Sequence, residues 1–296
     1  MNLSAAASGL ASANLSPVAL DISAVGGADL AILAVALVLA GLVTGFLSGL
    51  LGIGGGGLLV PVLYETFGAI GVDPGIRMHM SLATSLAVIA VTSLSSFRAH
   101  RARGSVDMEI LRRLGPWVLA GVVLGILVAS RSTSDGLKWM WIVFGSLMAL
   151  KMALGRDDWR LGSELPKNLA VGAFALAVGF VSVLMSIGGG AYMVTLMTLY
   201  GRPLLQAVGT SSGFGPLIAI PGMLGFAWAG WSADGLPPLS VGYVSLIGAA
   251  AIIPTGIIAA PWGVRLAHGI PKRRLELAFA LFLTLVVARF AASLLA

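Results

Sequence analysis

The sequence predicts an all-α polytopic membrane protein built as two inverted-topology repeats, with about eight long transmembrane helices plus two short half-helices that follow Gly-rich breaks. Three observations carry this expectation: an excess of apolar residues, a pair of matched glycine blocks, and a lopsided distribution of basic residues between the loops. Of the 296 residues, 58% are hydrophobic and only 10% charged, and the mean hydropathy is +0.99. A water-soluble domain is nearer half apolar and one quarter charged. An apolar core in water needs a polar outer shell that this chain does not supply, whereas lipid can face the surplus directly.

Crossing the hydrocarbon layer takes about 20 apolar residues as helix. Eight stretches qualify, at about 30–51, 79–97, 111–130, 137–153, 168–186, 207–229, 240–264 and 275–295. Two shorter apolar stretches, about 57–70 and 190–201, directly follow glycine clusters. Residues 1–29 hold Asp21 and Asp29 but no Lys or Arg, so they lack the basic start of a secretory signal and read as an N-terminal tail. Residues 30–155 and 168–296 then form the first and second transmembrane repeats.

The repeat is visible residue by residue. Gly45-Phe46-Leu47-Ser48, Leu50, Ile53-Gly54-Gly55-Gly56 and Val60 are answered by Gly179-Phe180-Val181-Ser182, Leu184, Ile187-Gly188-Gly189-Gly190 and Val194. Every pair is 134 positions apart, as 54 and 188 are. Downstream, Ala83-Thr84-Ser85 is answered by Gly209-Thr210-Ser211 at an offset of 126, the separation of 84 and 210. The loop after the 79–97 span carries Arg98, Arg101 and Arg103, while its counterpart at 230–239 carries Asp234 and no base. Basic loops favour the cytoplasmic side, so equivalent loops of opposite bias imply opposite orientation, and each short segment must cross as well. With ten crossings, 14 of the 18 Lys and Arg fall on one side, against Arg77, Arg131, Lys138 and Arg289 on the other. A multi-pass protein of an inner (plasma) membrane is expected. The net charge of +6 is explained by these loops, and no nucleic-acid partner is inferred.

The glycine breaks are the candidate site. Non-helical backbone at membrane depth is tolerated only where it is buried in protein or lines a polar cavity, and broken helices at matching places in inverted repeats point to a transporter's binding site. Gly54, Gly55 and Gly56, and Gly188, Gly189 and Gly190, each open a short helix whose free N–H groups and positive dipole end favour an anion. Thr84, Ser85, Thr210, Ser211 and Ser212 add hydroxyl donors, and Ser48 and Ser182 could reach the same place. Gly41, Gly45 and Gly49, and Gly121 and Gly125, recur every four residues and read instead as helix-packing positions.

Other chemistry is thin. There is no cysteine, no P-loop and no H-E-x-x-H motif, and no Asp or Glu stands mid-span as a proton relay, so neither an enzyme nor a bound cofactor is expected. Met78-His79-Met80 offers soft ligands but no companion cluster, so no metal is expected.

At the doubled Ile-Gly-Gly-Gly block, each copy followed by a Thr-Ser pair, the sequence resembles the TauE/SafE family of sulfite exporters. The resemblance covers about 30–295 and includes Arg103-Gly104-Ser105-Val106-Asp107. It implies a secondary transporter exporting sulfite or a related sulfur oxyanion or organosulfonate by alternating access, with the small sulfur-containing anion and the lipid bilayer as its partners. A homodimer is compatible with the chain, and a passive anion channel or a membrane-embedded assembly factor are the competing expectations. The second copy departs from the first: Thr195 stands where Pro61 does, and Ala191 where Gly57 does, so the two halves of the site are expected to be unequal.

Overall fold

A computed structural model describes residue 35 and residues 37–46, 56–154, 160–267 and 271–295. The expected tail at 1–29 and the glycines Gly49, Gly54 and Gly55, with Ser48, lie outside the described residues. The described chain is almost entirely helical: α1 (Leu37–Phe46), α2 (Gly56–Ala69), α3 (Pro74–Ala102), α4 (Met108–Ala129), α5 (Ser134–Leu154), α6 (Leu169–Met185), α7 (Gly190–Leu199), α8 (Leu204–Ala229), α9 (Leu246–Ala267) and α10 (Lys272–Leu295). Six of these, α3, α4, α5, α8, α9 and α10, are long and apolar enough to cross a bilayer. α2 and α7 are shorter, at 14 and 10 residues, or about 21 and 15 Å of helix.

Several expectations shift: the helix anticipated at about 79–97 runs Pro74–Ala102, and the stretch at 168–186, counted among the long spans, gives the 17-residue α6, which is not among the six. The span anticipated from 240 begins at Leu246, because Ser240–Val241 (β1) and Val244–Ser245 (β2) pair as a small antiparallel ladder. Val241 and Val244 are apolar enough to read as helix, but Gly242 between them adopts φ +54, which turns the chain back instead.

Helix starts follow local capping. Asp73 caps α3, its carboxylate accepting from the Gly75 amide at 2.7 Å, with Pro74 in the first turn. Asp107 caps α4 by accepting from the amides of Glu109 and Ile110, and Asn168 caps α6 through Val171. Each side chain satisfies amides that the first helical turn leaves unpaired.

Contacts between loops define two ends of the bundle. At one end Arg202 lies 3.7 Å from Asp107, Lys167 pairs with Glu109 at 3.1 Å, and Arg273 donates to the carbonyls of Met152 and Ala153. Here the loops rich in arginine and lysine meet, and we call it the basic end. At the other end Lys138 pairs with Asp135 at 2.9 Å and sits 5.2 Å from the Tyr64 ring, while Arg77 donates to Val72 O. His79 Nε2 lies 3.2 Å from Ala129 O and 3.1 Å from Ser132 O, and its ring stacks on Tyr243.

The interior is apolar and aromatic. Trp141 of α5 and Tyr64 of α2 both meet Phe290 of α10 edge-on, at 5.2 and 5.3 Å between ring centroids. The outside is apolar too: Val143, Leu147, Leu150 and Leu154 follow one another along α5 and stand exposed. That stripe needs hydrocarbon around it, so this is a multi-pass membrane protein.

Glycines set the closest helix crossings. A Cβ on Gly121 would overlap the Leu176 carbonyl oxygen of α6, and one on Gly179 would overlap the Val118 carbonyl of α4. The same arrangement joins α1 to α9, where Gly41 and Gly45 lie against the backbone of Ile252 and Gly256. Association of helices in lipid depends on such close van der Waals contact, since hydrocarbon gives apolar side chains no reason to leave it.

Candidate functional site

The second glycine break is fully described and lies at the centre of the fold. α6 ends when Ser186 turns left-handed (φ 52, ψ 49) and the Ile187 amide donates back to Ser182 O at 2.8 Å. Gly189 is left-handed as well (φ 68), and α7 begins at Gly190. Two left-handed residues within four positions reverse the chain in the space of one turn. For glycine that conformation is free, whereas for serine it carries a cost of about 1–2 kcal/mol. The Ser186 hydroxyl donates to Leu82 O of α3 at 3.2 Å, which holds the strained residue in place.

Four elements surround the break. Gly188 faces Ile89 of α3 and Gly215 of α8, and Gly189 faces Ile218 of α8 and the Ser182 hydroxyl of α6. The fourth is the start of α2: a Cβ at Gly57 would lie 3.4 Å from Ile187 Cδ1 and 3.5 Å from Phe279 Cζ. The helix that follows the first glycine cluster therefore begins against the residue that opens the second.

Polar groups without partners gather at this point. Ser85 and Ser182 are fully buried, and neither hydroxyl has a hydrogen-bond partner among the described residues. Ser93 Oγ is likewise buried and unpartnered, and it packs against Gly215. Ser85, Ile89 and Ser93 are spaced four residues apart on α3, so they share one face. Leaving a hydroxyl buried and unbonded costs about 1–3 kcal/mol. Three such groups lie on α3 and α6, two of the helices that enclose the break.

The remaining anticipated residues are placed differently. Thr84 is fully buried, and its hydroxyl oxygen accepts from the Ser245 amide of β2 at 3.0 Å. Thr210 accepts from the Asp107 amide at 2.8 Å. Ser245 and Asp107 are the residues immediately before α9 and α4, and the Ser245 hydroxyl accepts from Gly248 N as a cap would. Ser211 and Ser212 donate to Val208 O and Gly209 O within their own helix. The structure thus joins Gly188, Gly189 and Gly190 in the break and sets Ser85 on the α3 face that Gly188 meets at Ile89, while Thr84 is bonded to Ser245, Thr210 to Asp107, and Ser211 and Ser212 within α8. Gly56 opens α2. Ser93 and Ser186 add to the site. The eight-residue spacing of Ser85 and Ser93, two helical steps of four, was legible in the sequence, whereas nothing marks Ser186 as left-handed. Among the described residues no group of His, Cys, Asp or Glu is placed to hold a metal ion.

Apolar helices packed around a buried helix break, with basic groups gathered at one end, make a multi-pass membrane bundle, and its family and relatives are those of a membrane transporter. The chain belongs to the sulfite exporter TauE/SafE family, whose model matches residues 37–290. It is similar to a "Probable membrane transporter protein" of Haemophilus influenzae, 31% identical over 250 residues that cover 84% of this chain and 94% of the relative. A second such protein, from Methanocaldococcus jannaschii, is 26% identical over 242 residues, covering 81% of this chain and 89% of the relative. A third, YdhB of Bacillus subtilis, is 24% identical over 250 residues, covering 82% and 94%. These names describe transporters rather than enzymes. No solved structure matches the chain.

Proposed function

We propose that the protein is a secondary transporter that exports sulfite or a related small sulfur oxyanion across an inner membrane. In this reading the anion sits at the Ser186–Gly189 break, against the start of α2. The observation that carries the reading is the convergence of Gly57 on Ile187 with the unpartnered hydroxyls of Ser85 and Ser182 close by. A doubly or singly charged oxyanion accepts hydrogen bonds and donates few, which suits hydroxyls and amide N–H groups at a helix start. No arginine has to be placed in lipid.

The inverted repeat belongs to the same proposal, and exchanged contacts support it. Thr84 and Thr210 are equivalent at offset 126, and Asp107 and Ser245 at offset 138. Thr84 of one half holds the Ser245 amide of the other, and Thr210 holds Asp107 in return. The crossings obey the same exchange: Gly45 lies against Gly256 and Gly179 against Val118, with 118 and 256 again 138 apart. A pseudo-two-fold axis through the break produces such reciprocity. The Asp107 bond stands at the basic end and the Ser245 bond toward the other end. With both intact the molecule is closed on both sides, and alternating access opens one at a time.

Proteoliposomes loaded with sulfite, sulfate, thiosulfate, taurine or sulfoacetate test the proposal. Efflux of sulfite that is saturable and lost in Ser85→Ala/Ser182→Ala protein is the expected result. Efflux indifferent to that double substitution would remove the break as the site. A conductance that does not saturate would replace the transporter with a channel.

A further inference from the structure

A second recess lies at the basic end, remote from the glycine break. It holds about 290 Å³ between the second and third turns of α4 and the start of α6, and Arg113, Trp117, Lys167, Asn168 and Gly172 are among the residues that line it. No Asp or Glu lines it. Arg113 Nη2 is buried and has no hydrogen-bond partner among the described residues. A buried guanidinium nitrogen left unbonded is costly, because two of its donors have lost water and gained nothing. Lys167 stands at the rim and, among the described residues, pairs with Glu109 through an exposed ion pair.

The depth of the recess identifies its occupant. Arg113 is five residues into α4, about 8 Å along the helix. Trp117 follows one turn deeper, 37% exposed, with its indole seated on Gly172. Tryptophan is concentrated where headgroups give way to hydrocarbon, so the arginine lies at the level of the lipid phosphates. We propose that this recess binds the phosphate group of an anionic phospholipid from the leaflet on the basic side. The Arg113 guanidinium, turning its unpartnered Nη2 into the recess, and the Lys167 ammonium donate to the phosphate oxygens, and Trp117 packs against the glycerol and upper acyl carbons.

Native mass spectrometry and thermal unfolding of detergent-purified protein, titrated with phosphatidylglycerol, phosphatidylcholine or inorganic phosphate, test this. Wild-type protein is expected to retain phosphatidylglycerol and to be stabilised by it, with little response to the other two. Arg113→Gln should weaken retention by about tenfold, the worth of one charge-assisted hydrogen bond. Lys167→Gln should weaken it less. Arg112→Gln, a neighbouring arginine that does not line the recess, should leave retention at the wild-type level. Equal retention by wild type and Arg113→Gln overturns the proposal. So does an equal shift with inorganic phosphate, which would make this a site for a free anion, or with phosphatidylcholine, which would make the net charge irrelevant. If Arg113→Gln protein does not purify, Lys167→Gln decides, since its side chain is exposed and not needed for folding: reduced retention supports the site and undiminished retention refutes it.

Discussion

Glycine serves two unlike purposes in this molecule, and the α4–α6 crossing and the α6–α7 break show the difference. At the crossing, Gly121 and Gly179 are ordinary helical residues whose missing side chains let two backbones touch. At the break, an added Cβ at Gly188 would meet only ordinary contacts, nothing nearer than 3.6 Å, while Gly189 is required by its positive φ. The first use is about distance between helices and the second about the path of the chain. Sequence spacing separates them: packing glycines recur every four residues, and the chain-path glycines are consecutive.

The largest effect is expected at the crossing. Gly121→Val places a branched side chain where only a backbone carbonyl can be, and neither helix can yield without separating from the other. A destabilisation of about 3 kcal/mol or more is expected, read as loss of monodisperse protein and a lowered unfolding temperature. If Gly121→Val protein unfolds at the wild-type temperature, the crossing is not as close as described.

Next come the exchanged threonines. Thr84→Val and Thr210→Val preserve shape but leave an amide unbonded, buried at Ser245 and half-buried at Asp107, at a cost of about 1–3 kcal/mol for the buried one and less for the other. If the two bonds are counterparts under the proposed repeat, both substitutions should destabilise, and their effects should add in the double variant. A large effect at one position and none at the other would break the symmetry. In transport, either substitution should raise leak across the closed state, measurable as passive sulfite loss from proteoliposomes.

The break should respond more gently, and unevenly. Gly189→Ala forces alanine to φ 68 and crowds Ile218 Cδ1 at 2.5 Å, for about 1–2 kcal/mol. Gly188→Ala meets only ordinary contacts, with Ile89 and Gly215, and should leave the unfolding temperature nearly unchanged. The order Gly189 above Gly188 is the test, and its reversal would show that space rather than backbone conformation governs the site.

The smallest stability effect separates the two regions most sharply. Ser182→Ala removes a buried hydroxyl that has no partner among the described residues, so the folded protein should be unaffected or slightly more stable. Anion affinity should fall nonetheless, by about ten- to a hundredfold if the lost bond went to a charged oxygen. Isothermal titration with sulfite measures the second quantity and thermal unfolding the first. A variant that loses stability and keeps its affinity would return Ser182 to a packing role.

Much of this was legible in the sequence because it is local. Apolar length marked the helices, and a run of glycines after an apolar stretch marked the break. The doubling of Ile-Gly-Gly-Gly located two helix starts that Gly57 and Ile187 bring into contact. What escaped was decided by distant partners. Thr84 and Thr210 were read as ligand donors, and nothing near them in sequence shows that each would meet an amide more than a hundred residues away. The start of α9 was set six residues early, because Val241 and Val244 have the hydropathy of a span while the hairpin depends on the turn at Gly242.

The threonine bonds also impose a timetable on biosynthesis. Thr84 and Ser245 are 161 residues apart, and Asp107 and Thr210 are 103 apart. At about 5–20 residues per second on the ribosome, the Asp107 amide waits roughly 5–20 s for its acceptor and Thr84 roughly 8–30 s for its donor. Through that interval the early helices are in the bilayer with their interlocking surfaces open. Only when α8 and α9 arrive can the bundle close, so the last third of the chain completes the first.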